Sequence, residues 1–350
     1  MGMKPPVNGN FVEEGIFLAL PPCFPGVSLP PPADETRMHR LFVAYGGRVV
    51  FAATRGPRPR LLKFLPKGVL GYAVDLGAPP DAIEITALAI LPGVCSAGLL
   101  VACLSGKGSS IYFWPRGWAD DGIQEWQVIV RRPRLALDLP TPRIFSMVCE
   151  GAQIFALGEG LGFFLRQHDG ELTLERTVKI PDVFPEIFSP GGPHLLTSDW
   201  KFLPVEWNAL TLGVEERLPY GGPPATIAFA GDGFLVWADG SGAVHEWSGG
   251  EVRSRGSVPL LPLHSLCRLP DGRIYASAGP EIAHWYVLEA GCRWARDLGV
   301  PVSTLTTRRY GLQFSHMLAG RDGEIYIAED DRGGHLWIYF PPLLQPTPAR

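Results

Sequence analysis

Residues 314–342 read FSHMLAGRDGEIYIAEDDRGGHLWIYFPP, and the order of residue types in this stretch decides the fold. An apolar run is followed by a turn at Asp322 and Gly323, a second run EIYIAE, a polar loop, and a third run HLWIYF. Short runs of aromatic and β-branched residues, bounded by Gly, Asp and Pro, are the pattern of strands joined by tight turns. The stretch predicts strand, turn, strand, loop, strand.

The same order recurs upstream. GDGFLVWADGSGAVHEW (231–247), PDGRIYASAGPEIAHWY (270–286) and RDGEIYIAEDDRGGHLW (321–337) align on their turn glycines, and in each a histidine lies 12 residues further on: Gly233 and His245, Gly272 and His284, Gly323 and His335. A polar residue repeated in this way usually performs a repeated structural task, here an imidazole hydrogen bond tying a loop to the adjacent strand. Earlier copies are more degenerate, with Gly47 before RVVFAAT, Gly98 before LLVACLS, Gly151 before AQIFALG, and Gly191 or Gly192 before PHLLTSDW. Successive turn glycines are 39 to 53 residues apart, close to the roughly 40–50 residues of a four-stranded propeller blade.

More polar runs supply outer strands, as in IQEWQVIV (123–130), ELTLERTV (171–178) and EVRSRGSV (251–258). The last copy lacks one, because only LLQPTPAR follows it, while GIFLAL (15–20) stands unassigned before the first copy. The expectation is an all-β protein, a seven-bladed β-propeller of four-stranded antiparallel blades, closed by an N-terminal strand added to the last blade. It forms one domain over residues 1–350, with blades at about 37–82, 84–138, 143–183, 186–220, 224–260, 262–300 and 310–341 plus strand 15–20. A solenoid or a pair of sandwiches is the alternative, and the spare strand at one end with the missing strand at the other favours the ring.

Composition agrees with many short elements around a large core. Apolar residues are 46% of the chain and charged ones 19%, and 42 Gly and 35 Pro are dispersed between apolar runs as turn residues would be. A net charge of -4 and a pI near 6.1 provide no electrostatic footprint for nucleic acid or an anionic membrane, so neither partner is expected. The six cysteines (Cys23, Cys95, Cys103, Cys149, Cys267, Cys292) contain no CxxC pair and read as buried free thiols, with no metal site and no cofactor expected. No 18-residue apolar run would span a membrane. The N-terminus lacks a basic start followed by an apolar stretch, so the sequence as it stands predicts a cytoplasmic monomer, or a secreted one if a leader has been lost. Neither Gx(4)GK[ST] nor GxSxG occurs, and SGKGSS (105–110) reads as a flexible loop.

The repeats over residues 15–341 resemble the bacterial β-propeller superfamily, and DGRIYASA and DGEIYIAE are similar to the turn-and-strand segments of NHL and lactonase-type propellers. No Trp-Asp pair closes the blades as in WD40 repeats, and no Gly-Gly doublet recurs as in kelch. The resemblance implies ligand binding on the face that carries the connections between blades and those between second and third strands. Here these are loops 54–59, 105–109, 158–162, 198–201, 239–242, 279–282 and 329–334. SHML followed by EIYIAEDDRGGHLWIYFPP also looks like the blades of propeller-type polysaccharide lyases, which neutralise a uronate carboxylate and abstract the adjacent proton.

That likeness implies His316 or His264, each on an innermost strand, as base, and Tyr310 as acid or base. Arg308, Arg309 and Arg332 would clamp the carboxylate, with Gln313, Asp330 and Asp331 also lining the substrate site. Two functions are therefore expected. One is a binding or scaffold protein presenting its channel-face loops to a carbohydrate or protein partner. The other is a carbohydrate-active enzyme, a lyase or hydrolase, with a polysaccharide lyase foremost.

Overall fold

The computed structural model describes residues 9–12, 15–20, 37–44, 49–55, 59–65, 72–77, 79, 81–91, 98–114, 134–168, 171–181, 183–188, 194–197, 199–231, 233–280, 284–299, 314–320, 323–329 and 336–341. Among these, regular structure is all β. Strands β1 (Gly9–Val12) and β2 (Gly15–Leu20) open the chain. A first antiparallel meander follows in β3 (Arg37–Ala44), β4 (Val49–Arg55), β5 (Leu61–Leu65) and β6 (Tyr72–Gly77). A second comprises β7 (Ala82–Leu91), β8 (Gly98–Ser105), β9 (Gly108–Trp114) and β10 (Arg134–Leu139), and a third comprises β11 (Ile144–Glu150), β12 (Gln153–Gly158), β13 (Leu161–His168) and β14 (Glu171–Lys179).

The next unit holds β15 (Val183–Phe188), β16 (His194–Thr197) and β17 (Lys201–Glu206), with its outer strand broken into β18 (Thr211–Leu212) and β19 (Glu216–Arg217). Two regular sheets come after it: β20 (Ala225–Gly231), β21 (Phe234–Asp239), β22 (Ala243–Ser248) and β23 (Glu251–Ser257), then β24 (Leu263–Arg268), β25 (Ile274–Ala278), β26 (His284–Leu288) and β27 (Arg296–Gly299). The last contains β28 (Phe314–Ala319), β29 (Ile325–Glu329) and β30 (Leu336–Phe340), to which β2 and then β1 are added.

Together they make an all-β propeller of antiparallel four-stranded blades, hydrogen-bonded into six sheets because the first two meanders share the single pair Arg55↔Glu84. Innermost strands neighbour one another in succession: β3 lies beside β7, β7 beside β11, then β15, β20, β24 and β28, and β28 lies beside β3. Burial peaks one strand out from this inner row, since β11 and β24 are themselves only partly buried. The second strands β8, β12, β21 and β25 are almost wholly buried, whereas the outer strand β14 is exposed over most of its length. A strand covered on both faces carries a continuous apolar run, and one at the rim need not.

Apolar clusters join successive units along the chain. Phe155, Leu157 and Phe164 meet Leu195, Leu203 and Val205, while Cys267, Tyr275 and Trp285 meet Met317, Ile325, Ile327 and Tyr339. The Asp-Gly turns are built as the sequence requires, with Gly233, Gly272 and Gly323 in the left-handed region at φ of +77°, +86° and +89°.

Several details differ from expectation. The outer strand of the second unit is Arg134–Leu139, paired with β9, and the polar run at 123–130 lies outside the described residues. Gly98 sits within β8 instead of the turn before it. The fourth unit starts at Val183, three residues before the expected boundary at 186. Strand β1 was not expected at all. Cys103 and Cys267 are buried and Cys149 is half-buried, with burial pushing the Cys149 thiol up to about 12, but Cys292 is exposed.

A recurrent bulge was also invisible in the sequence. At the start of the innermost strands the register shifts between Met38 and Arg40, Ile85 and Ala87, Ile144 and Ser146, Ala225 and Ile227, Leu263 and Ser265, and Phe314 and His316. One extra residue bends each of these six strands, while in β15 the break, between Val183 and Ile187, is wider.

Because β2 pairs with β30 over five residues, removing residues 1–20 should leave a bare strand edge. The thermal midpoint is expected to fall by about 5 °C or more, with aggregation visible by light scattering. An unchanged midpoint and a monomeric chain would show that the edge needs no cover.

Candidate functional site

In a meander, the connection from second to third strand and the crossing to the next sheet emerge at the same end. At that end, residues 240–242 join β21 to β22, residues 279–283 join β25 to β26, and residues 218–224 and 258–262 are crossings. The polar centre here is Asp239. Its Oδ1 accepts from the Ser241 N–H at 2.8 Å, the Ser241 hydroxyl at 2.6 Å and the Ala243 N–H at 3.2 Å. Burial raises the Asp239 carboxyl, but Ser241, the turn backbone and His245 outweigh it and hold the group below its ordinary value of 3.8.

His245 connects this turn to the preceding crossing. Its Nε2 lies 3.4 Å from Asp239 Oδ2 and 3.0 Å from the Tyr220 hydroxyl. One nitrogen facing two oxygens, one of them a carboxylate, is best served by carrying the proton, so Nε2–H donates to both. The Tyr220 hydrogen is then left for another acceptor. Burial raises the Tyr220 pKa, and the Asp239 charge raises it further. The imidazole stacks on fully buried Trp237 at 5.4 Å, and Trp200 packs on both Trp237 and Tyr220 while its Nε1 donates to Pro223 O at 2.6 Å. This is not a nucleophile triad, because the Ser241 hydroxyl donates to Asp239 and not to the imidazole.

In the next sheet, His264 occupies the bulge between Leu263 and Ser265 and is half-buried, its Nε2–H donating to Gly279 O at 2.7 Å. The Gly279 N–H in turn donates to Pro262 O at 3.0 Å. His284 Nδ1–H donates to Asp297 Oδ2 at 2.9 Å, tying β26 to β27.

The equal spacing of His245 and His284 from their glycines conceals a difference. Ala238 pairs with Val244, whereas the corresponding Ser277 pairs with Trp285, because three residues connect β21 to β22 and five connect β25 to β26. His284 therefore matches Ala243 in position, and Tyr286 matches His245. The last sheet has the longer register, with Ala328 opposite Leu336, and His335 lies outside the described residues.

Of the other residues expected at the site, His316 lies on β28 opposite Ala328, the register position of Ser265. The bulge position matching His264 is that of Ser315, so the two histidines are one step out of phase. Tyr310, Arg308, Arg309, Gln313, Asp330, Asp331 and Arg332 lie outside the described residues. Groups the sequence did not single out are Tyr220, Asp239 and the buried Glu84, which pairs with Arg143, whose guanidinium lies 6.0 Å over Phe145. The Asp-Gly-Ser-Gly run at 239–242 was a legible turn signal for Asp239.

Beside these satisfied groups stand exposed apolar residues. Leu261 is 41% exposed and lies against Gly242, and Pro259, Pro262, Pro223 and Pro224 are also exposed. Among the described residues no cluster of three or more His, Cys, Asp or Glu could hold a metal, and no helix is long and apolar enough to cross a membrane.

No protein-family model matches the chain, and no curated protein sequence matches it. Solved structures do match. The WD40 β-propeller domain of Doa1 is 12% identical, with 94% of this chain and 97% of that one covered and a TM-score of 0.54. The β-propeller domain of Myceliophteria thermophila Cps50 (Swd1) is 11% identical, with 89% and 98% covered and a TM-score of 0.55. At such identities the likeness shows the fold alone: a propeller architecture shared with WD40 domains by a chain without their Trp-Asp pairs.

Asp239→Asn should destabilise the chain by about 1–3 kcal/mol at neutral pH, the range for a compromised buried hydrogen-bond network. The folded carboxyl titrates below its ordinary value, so its contribution is complete above that value and is lost as pH falls through the folded one. Urea titrations at descending pH should show the gap between native protein and variant closing only below about pH 4. A gap constant down to pH 2 would contradict the assignment.

Proposed function

We propose that this chain is a closed seven-bladed β-propeller that works as a binding scaffold, taking a protein partner on the end that carries residues 218–224, 240–242 and 258–262. Counting the two meanders of the eight-stranded sheet as separate blades supports seven, and the succession of inner strands back to β3 supports closure. The observation that carries the binding reading is the satisfaction of the polar groups at this end. Asp239, Ser241, His245 and His264 are engaged within and between blades, which leaves proline and Leu261 to face a partner.

Rigid apolar groups suit protein recognition, where preorganisation lowers the cost of association. His264, one of the two histidines read as base, gives its Nε2–H to the Gly279 carbonyl and so ties its bulge to the connection between β25 and β26, a structural use of the ring.

Side-by-side affinity capture with native protein and with Leu261→Asp tests this, with thermal unfolding as the fold control. A protein partner held by native chain and weakened about tenfold or more by the substitution is expected. Equal capture by both, or retention of acidic polysaccharide in place of protein, would refute the reading.

A further inference from the structure

We draw no further inference here: the strongest candidate, the surface patch along the outer strand β14 where Leu174 is exposed, is interrupted by a bulge at Glu175, and nothing in the structure shows what covers it.

Discussion

The fold rests on the burial of second strands from both sides. Leu99 to Cys103, Ile154 to Leu157, Leu235 to Ala238 and Ile274 to Ala278 are almost entirely withdrawn from water, although each belongs to a meander only four strands wide. One sheet cannot bury both its faces, so each must be sandwiched between two others. Small residues make the stacking close: Ala87, Ala102 and Ala156 lie in one cluster, and Ala238, Ala276 and Ala278 in another. At about 25 cal/mol per Å² of apolar area, these interfaces dominate stability. Any sheet left without a neighbour would expose a whole apolar face.

Polar groups buried in the same frame must then be satisfied in place. Glu246 on β22 accepts from Arg255 on β23 and from Arg268 on β24 of the next sheet, with Arg268 also 4.5 Å over the Phe234 ring. A buried carboxylate stripped of such partners costs several kcal/mol, so the ion cluster fixes how two sheets meet more than it adds net stability. Asp239 plays the corresponding part within a turn, binding Ser241, Ala243 and His245 at once.

Most strands were legible because burial on two faces, one face or neither leaves distinct residue patterns, as the contrast between FLVWAD on β21 and ELTLERTV on β14 shows. Turn glycines were legible where they need positive φ, and missed at Gly98, which does not. What spacing could not show was register. Equal distances from Gly233 to His245 and from Gly272 to His284 suggested one repeated role, yet two extra residues in the connection 279–283 shift the second histidine along its strand. The bulge in six of the inner strands was hidden for the same reason, since an inserted residue changes pairing without changing composition. Tyr220 was missed because its importance depends on His245, a contact across 25 residues that no local pattern encodes.

A rigid frame with variable connections also sets how far apart the two ends of one blade stand. Strands β24 to β27 are four to six residues long, which at about 3.3 Å per residue separates the two ends of the sheet by no more than roughly 20 Å. Leu261 and His264 stand at one end and Trp294 at the other, joined by strands whose core positions are almost fully buried. Such a sheet has little freedom to bend, so the connections at its two ends sit at a fixed distance and orientation. That geometry suits a scaffold. It also gives physical sense to the many satisfied polar contacts, because a hydrogen bond that fixes a loop is of more use to a part that must hold its shape than to one that must react.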